Sequence, residues 1–217
     1  MMSPSLDGQV SILERAIAFF DSINWTYTRH ESKPILSMRH QGKNGSWRCV
    51  AQARENDTHR QFIFYSVLES FTPPDKLPAM AEFLTRANYG MVIGNFELDF
   101  NDGEVRYKSS IDVTANTEHL TEAQFRNLVF TNVLMMDKYF PGLMSVMYLN
   151  RSPAELIAEI EGYTPKTKAP LTCTSARPGV AAALIPGRAS GGRGGQQQDS
   201  RKPSTRGADA AVSVQVA

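Results

Sequence analysis

The stretch that decides the fold is residues 84–108, LTRANYGMVIGNFELDFNDGEVRYK. It opens as the end of an amphipathic helix that Asn88-Tyr-Gly90 closes, with Gly90 predicted in the left-handed conformation of a helix C-terminus. Polar and apolar residues then alternate along residues 96–100, as is typical of a half-buried strand. Asn101-Asp-Gly103 is a turn sequence, so the stretch predicts a helix followed by a β-hairpin.

Upstream of this stretch, β-rich segments separated by polar turns predict four more strands. Gly42-Lys-Asn-Gly45 indicates a tight turn of the Asn-Gly type, which would join two of them as a hairpin. Residues 61–68 are apolar on both faces, which favours a central position in the sheet. The six predicted strands cover residues 25–28, 35–38, 46–53, 61–68, 96–100 and 104–111.

Four segments carry apolar residues at helical spacing: residues 7–22, 72–88, a long run after Thr121, and 152–162. Pro141 is expected to kink or break the third helix, because proline lacks the N–H that a helix interior needs. Ser152, Pro153 and Glu155 predict a capping box at the start of the fourth. The order α–β–β–β–β–α–β–β–α–α predicts an α+β fold, in which an antiparallel sheet packs against segregated helices.

Composition divides the chain in two. Residues 1–162 hold the foldable part, whereas residues 163–217 are rich in Gly, Pro, Ser, Gln and Arg and predict a disordered tail. Residues 1–162 contain 15 Lys and Arg against 20 Asp and Glu, a net charge of −5, and residues 163–217 contain 8 against 2, a net charge of +6. The composition of the tail favours a solvated linker, and the alternative is a weak contact with nucleic acid, with an anionic membrane surface or with the domain's own acidic face.

Cysteine usage and hydropathy favour a cytoplasmic location. The two cysteines, Cys49 and Cys173, indicate no disulfide framework, which fits a reducing compartment. The N-terminal residues do not have the pattern of a secretory signal. No apolar run approaches the ~18 residues that a membrane span needs.

The sequence predicts no metal site and no cofactor. The four histidines, His30, His40, His59 and His119, have no Cys or His partner at ligand spacing, so structural or surface roles are expected. Residues 99–104 have a superficial likeness to a calcium loop, but a hairpin turn explains the same residues.

Glu97, Asp99 and Glu104 are the carboxylates that acid–base chemistry would use. Glu97 and Asp99 lie two residues apart on a strand and therefore share a face. Arg106 and Lys108, on the return strand, can pair with these acids across the hairpin. Structural ion pairs are therefore expected and no catalytic residue is predicted, with an enzyme that uses Glu97 and Asp99 as the lesser alternative.

A helical segment rich in Met and Leu is the candidate for a partner-binding surface. Flexible thioethers suit surfaces that accept several partners, although filling of the core is the more ordinary role of methionine. The candidate residues are Leu134, Met135, Met136, Leu143, Met144 and Met147.

The foldable part contains several short motifs. They are an Asn-Tyr before the break, a Phe-Glu-Leu-Asp strand, a Gly-Glu-x-Arg-Tyr-Lys return strand and a later Met-Asp-Lys-Tyr before a proline. They stand at Phe83-Leu-Thr-Arg-Ala-Asn-Tyr89, Gly94-Asn-Phe-Glu-Leu-Asp99, Gly103-Glu-Val-Arg-Tyr-Lys108, Asn132 and Met136-Asp-Lys-Tyr139. In these residues the chain resembles the bacterial YbjN-domain proteins, over residues 8–161.

The resemblance implies a fold similar to that of type III secretion chaperones, which are small α+β domains with an antiparallel sheet and helices on one side. Such chaperones dimerise and hold extended or partly folded polypeptides, and the family is described as sensory-transduction regulators without defined catalytic residues. We therefore expect a non-enzymatic protein-binding module, a chaperone-like adaptor or regulator that binds a protein client and can form a homodimer. The alternative is a nucleic-acid-associated regulator that acts through the basic tail.

Overall fold

Within residues 10–56, 58–114 and 120–164, which the computed structural model describes, four α-helices and six strands follow one another in the predicted order. The helices are α1 (Ile12–Ser22), α2 (Leu77–Asn88), α3 (Glu122–Tyr148) and α4 (Pro153–Glu161). The strands are β1 (Thr28–Arg29), β2 (Ile35–Gln41), β3 (Ser46–Glu55), β4 (Arg60–Val67), β5 (Asn95–Leu98) and β6 (Val105–Asp112).

The strands form one antiparallel sheet in the order β1-β2-β3-β4-β6-β5. β4 lies between β3 and β6 and is buried along most of both faces, so the central position predicted from its apolar pattern is confirmed. The predicted hairpin around Asn101-Asp-Gly103 joins β5 to β6 and places Glu97 opposite Arg106. The α+β fold with an antiparallel sheet is therefore confirmed.

The helices cover one face of the sheet. Because side chains alternate along a strand, Trp47, Phe64 and Tyr107 point to the same face, and each is fully buried. They share one core with Phe20 of α1 and Met136 of α3. The other face carries partly exposed side chains, among them Arg48, Tyr65, Arg106 and Lys108.

Two elements at the N-terminal end are shorter than predicted. α1 begins at Ile12, after the N-cap Ser11, rather than at residue 7, which lies outside the described residues. The first strand is present, but its predicted bounds of residues 25–28 are wrong, because β1 starts only at Thr28 and ends at Arg29. Trp25 instead packs edge-on against Phe20 of α1 at 5.7 Å between ring centroids, and its ring also lies against His40 of β2 at 5.2 Å, so this residue packs between helix and sheet without backbone strand pairing.

The turn between β2 and β3 packs on α3. The predicted Asn-Gly type is wrong, because that turn needs a positive φ at both central residues and neither Asn44 nor Gly45 has one. The Asn44 N–H donates to Oδ1 of Asp137 at 2.8 Å, which holds the turn against the helix. A Cβ on Gly45 would lie 2.3 Å from the Phe140 ring, so any other residue here would force that ring to move.

α3 runs unbroken through Pro141, so the predicted break is wrong. Proline has no N–H to donate to the carbonyl of Asp137, four residues earlier. The side-chain amide of Asn44 donates to that carbonyl instead, at 2.9 Å. A residue of the β2–β3 turn therefore supplies the hydrogen bond that the proline removes.

Capping of the two C-terminal helices also differs from the prediction. A capping box stands at the start of α3, where the Gln124 N–H donates to the Thr121 hydroxyl and the Thr121 N–H donates to Oε1 of Gln124. The capping box predicted at Ser152 is wrong, because this N-cap residue of α4 accepts no hydrogen bond through its side chain. α4 ends before Gly162, as predicted, and this glycine is left-handed with φ 72°.

A buried polar network ties α3 to the sheet. Asn132 is fully buried, and its Oδ1 accepts a hydrogen bond of 2.6 Å from the Ser66 hydroxyl. Its amide donates to the Ser109 hydroxyl and to the Phe64 carbonyl, each at 3.0 Å. Nε1 of Trp47 completes the network by donating to Ser66 at 2.9 Å. Buried polar groups that are paired in this way favour a single arrangement of helix and sheet.

The predicted tail falls outside the described residues from residue 165 onward, as do Cys173 and His119. The division into a domain of residues 1–162 and a tail of residues 163–217 therefore stays a prediction. Among the residues that are described, no helix is long and apolar enough to cross a membrane.

Candidate functional site

The loop between α2 and β5 presents apolar side chains to solvent. We call residues 89–93 the display loop. Tyr89 and Val92 are each 96% exposed, and Ile93 is 45% exposed. Single exposed apolar residues are ordinary on a protein surface, whereas a group of them typically marks a contact site.

Asn88, the last residue of α2, fixes the start of the display loop. Its side-chain amide donates to the carbonyl of Phe96 at 3.1 Å, and its Oδ1 accepts the Phe96 N–H at 2.7 Å. Both backbone groups belong to the outermost strand of the sheet, and the Phe96 carbonyl also accepts from Nδ2 of Asn95 at 3.2 Å. The Asn88 side chain therefore closes this edge at Phe96, much as a further strand would.

Gly94 and Tyr107 fix the end of the display loop. Gly94 has φ 78°, and a Cβ there would lie 2.6 Å from the carbonyl oxygen of Lys108. The left-handed conformation predicted for Gly90 is wrong, because the chain reverses at the start of β5 rather than at the end of α2. The Tyr107 hydroxyl donates to the Ile93 carbonyl. Burial raises the pKa of Tyr107 to about 12, so this hydroxyl keeps its proton at neutral pH.

A cleft of about 470 Å³ opens beside the display loop, with its other walls formed by β6, α3 and α4. Clefts of several hundred Å³ with mainly apolar walls are typical of binding sites. The apolar and aromatic lining residues are Met91, Val92, Ile93, Tyr107, Met135 and Tyr139.

The polar groups at the cleft largely satisfy one another. The Tyr139 hydroxyl donates to Oε1 of Glu161 at 2.8 Å, and burial together with this carboxylate raises the pKa of Tyr139. The Lys138 ammonium lies 5.1 Å from the centre of the Tyr139 ring. One cation and one anion thus lie at a cleft with apolar walls, which suits an apolar group better than an ion.

The described residues contain no group of three or more His, Cys, Asp or Glu that could hold a metal ion. His40 packs between Trp25 and Trp47, with ring centroids 5.2 and 5.1 Å away, and burial lowers its pKa. Burial raises the pKa of the Cys49 thiol to about 12, which makes it a poor nucleophile at neutral pH. Both residues therefore serve packing in this arrangement.

The carboxylates considered for acid–base chemistry are engaged in structural contacts. Oε2 of Glu97 lies 2.7 Å from Nε of Arg106, and Lys108 pairs with the other oxygen, so the predicted cross-strand pairing is confirmed for Glu97. Burial would raise the pKa of Glu97, but these two cations hold it below its ordinary value. Asp99 accepts the Asn101 N–H at 2.8 Å within the hairpin turn. Neither carboxylate lines the cleft.

The six residues predicted to bind a partner do not share one exposed surface. Three lie in the core and are at most 2% exposed: Met136, Leu143 and Met147. The other three are accessible: Leu134, which is 62% exposed, and the half-buried Met135 and Met144. Leu134, Met135 and Met144 could therefore contact a partner, and of the six residues only Met135 lines the cleft.

Sequence reasoning did not single out the display loop. Its signal was the run Met91-Val-Ile93 between Gly90 and Gly94, an apolar segment where a connecting loop is usually polar. The role of Tyr107 had no local signal, because its hydroxyl reaches a carbonyl 14 residues earlier.

Fold and site together define a small α+β domain with one helix-covered antiparallel sheet and an apolar cleft beside an exposed loop. A family model described as "Putative bacterial sensory transduction regulator" matches residues 13–144. The chain therefore belongs to the YbjN family, and the resemblance found in the sequence is confirmed.

A crystal structure described as that of "YbjN, a putative transcription regulator from E. coli" is similar to this chain at 13% sequence identity and a TM-score of 0.47. The alignment covers 67% of this chain and 93% of the other. A comparison with curated protein sequences found no match.

Proposed function

We propose that this chain is a non-enzymatic, cytoplasmic protein-binding module, a chaperone-like adaptor or regulator whose docking surface is the display loop and the cleft beside it. The observation that carries the proposal is the exposure of Tyr89 and Val92, at 96% each, on a loop that is fixed at both ends. Removing apolar surface from water stabilises a complex by roughly 25 cal/mol per Å² before the costs of association.

The chemistry of the surface supports a polypeptide partner with large apolar side chains. Tyrosine is enriched among the residues that dominate binding energies at protein interfaces, and Tyr89 is free to bury its ring against a partner. Methionines such as Met91 and Met135 adapt to side chains of different shapes. The net charge of −5 over residues 1–162 favours a partner that carries positive charge.

The edges of the sheet favour docking in the cleft over addition of a strand. Asn88 occupies the N–H and carbonyl of Phe96 at the β5 edge. β1, at the other edge, is only two residues long. An extended partner would find the Phe96 groups already occupied at one edge and only a two-residue strand to extend at the other, so side-chain contacts with the cleft are the more favourable mode.

Binding of an unfolded basic polypeptide tests the proposal. The probe is fluorescently labelled lysozyme that has been reduced and carboxamidomethylated, and binding to the full chain is followed by anisotropy. Replacing both Tyr89 and Val92 by Ser is expected to weaken binding at least tenfold, because aromatic anchors typically contribute most of the affinity.

The matched control is Asn127→Ser, on the exposed face of α3. We expect this variant to bind the probe as the wild type does. Equal binding by the double variant and the control, or no binding by the wild type, would contradict the proposal. Light scattering on the same samples separates binding of the probe from association of two copies of the chain.

The net charge of +6 over residues 163–217 favours a second candidate function, a nucleic-acid-associated regulator that acts through this segment. This candidate is tested by comparing the retention on heparin at low salt of the full chain with that of a protein truncated after Gly162. Stronger retention of the full chain supports this candidate, and equal retention removes it.

A further inference from the structure

We infer that Asn88 and Tyr107 are positioning residues for the docking surface, because they tether the two ends of the display loop and hold Tyr89 and Val92 in one arrangement before a partner arrives. This inference rests on the proposed function, since it concerns the order of the same surface. A loop that is ordered in advance loses less conformational freedom on binding, and affinity rises accordingly.

The first tether is a pair of hydrogen bonds from one side chain. Asn88 uses its amide and its carbonyl oxygen on the two backbone groups of Phe96, eight residues further on. The Met91 N–H also donates to the Asn88 carbonyl at 3.2 Å, which closes the first turn of the loop on the same residue. The start of the loop and the strand that follows it are therefore held together by Asn88.

The second tether acts from below the loop. Tyr107 is fully buried, its ring packs edge-on against Phe96 at 4.8 Å between centroids, and its hydroxyl donates to the Ile93 carbonyl. Because the ring is fixed by the core, the hydroxyl defines where Ile93 lies. Gly94 then turns the chain into β5 with a positive φ that side chains rarely adopt.

Both tethers leave the exposed side chains free. Asn88 and Tyr107 bind backbone atoms only, whereas Tyr89 and Val92 are almost fully exposed. In such an arrangement the tethering residues order the loop, and the exposed side chains of the loop contact the partner. The hydrogen bonds of both tethers therefore act on the backbone of the loop and of β5, while the Tyr107 ring also forms part of the cleft wall.

Backbone order parameters from ¹⁵N relaxation test the inference directly, using the amides of residues 90–93 in the full chain. The wild type is expected to give order parameters of about 0.85, as in rigid backbone, and Tyr107→Phe is expected to lower them below about 0.6. This substitution removes one hydroxyl and keeps the ring that packs on Phe96. Asn88→Ala should have the same effect.

Tyr139→Phe is the matched control, because it removes the hydroxyl of the neighbouring tyrosine, which donates to Glu161 and not to the loop. It is expected to leave the order parameters unchanged. Values below about 0.6 in the wild type, or no change in Tyr107→Phe, would overturn the inference. Should Asn88→Ala fail to fold, Tyr107→Phe decides the question by itself.

Binding of the labelled, carboxamidomethylated lysozyme separates this inference from the proposed function. Tyr107→Phe is expected to raise the Kd about tenfold, through loss of order in the loop. A loop that becomes mobile in Tyr107→Phe while the Kd stays unchanged overturns the positioning role and leaves the docking surface standing. No binding by the wild type contradicts the proposed function, while the order parameters still judge the tethers.

Discussion

Asn132 makes four hydrogen bonds in the middle of the core, to two serine hydroxyls and two strand carbonyls. Its replacement by Ala would leave Ser66 and Ser109 without this partner in a region that water does not reach. We expect Asn132→Ala to lower the free energy of unfolding by about 2–4 kcal/mol, measured by urea denaturation, because unpaired buried polar groups and a cavity both cost stability.

Asn127, on the exposed face of the same helix, provides the comparison. Asn127→Ala is expected to change stability by less than about 0.5 kcal/mol, because surface substitutions away from special contacts have small effects. Similar losses in the two variants would mean that the buried network does not stabilise the fold.

His40 makes stability depend on pH. Burial between Trp25 and Trp47 lowers its pKa from the ordinary value of 6.5, against the opposing influence of Asp137. As the pH falls below 6.5, the unfolded chain takes up this proton before the folded chain does, so the free energy of unfolding decreases. We expect a lower melting temperature at about pH 5.5 than at about pH 7.5.

The variant His40→Phe isolates this contribution, because it keeps an aromatic ring and removes the titrating group. The other three histidines remain in both proteins, so their effects cancel in the comparison. A pH dependence between these two values that is as large in His40→Phe as in the wild type would show that His40 is not its source.

At the scale of elements, α3 depends on a turn that is distant in sequence. Asn44 donates to the Asp137 carbonyl that Pro141 leaves without its helical partner. We expect Asn44→Ala to cost about 1 kcal/mol in the wild type and clearly less in a Pro141→Ala background, where residue 141 regains an N–H for that carbonyl. Denaturant unfolding of the four proteins of this double-mutant cycle measures the coupling.

Independent effects of the two substitutions would contradict this account of how α3 accommodates its proline. The backbone N–H of residue 44, which donates to Oδ1 of Asp137, is present in every variant, so we expect the turn to keep this contact with the helix throughout. The cycle therefore reports on the side-chain amide alone.

Local pattern predicted the elements of this fold, and distant contacts decided the details that it missed. The alternation in β5 and the two-sided apolar pattern of β4 are properties of neighbouring residues, so both strands could be identified. Pro141 would end an isolated helix, but Asn44, 97 positions earlier, supplies what the helix lacks. The turn at Asn44-Gly45 likewise takes its form from Asp137 of α3.

In the candidate site, too, local sequence indicates one feature and distant contacts decide the other. The apolar character of the display loop can be recognised from consecutive residues, whereas its tethers at Phe96 and Tyr107 exist only once β5 and β6 have paired. For the Met-rich segment, the sequence pattern predicted an accessible surface that is only half present. Helical spacing places half of its candidate residues in the core, because α3 packs along the sheet through Asn132, Met136 and Leu143.

In the molecule as a whole, the helices cover one face of the sheet, and the other face carries charged side chains such as Arg48 together with buried apolar ones such as Val50 and Ile63. The display loop follows α2, and its cleft is bounded by β6, α3 and α4. We propose that a partner docks on this surface, as set out above for the display loop and its cleft. The acidic balance of residues 1–162 adds a long-range attraction for basic partners, which salt would weaken.

Site-specific photocrosslinking in the native cells tests whether a partner contacts the display loop. The full chain carries p-benzoylphenylalanine in place of Val92 in one experiment and in place of Asn127 in the other, both at exposed positions. We expect a defined crosslinked polypeptide, a client or a second copy of the chain, from position 92 and none from position 127. No crosslink from position 92, or the same products from both positions, would contradict it.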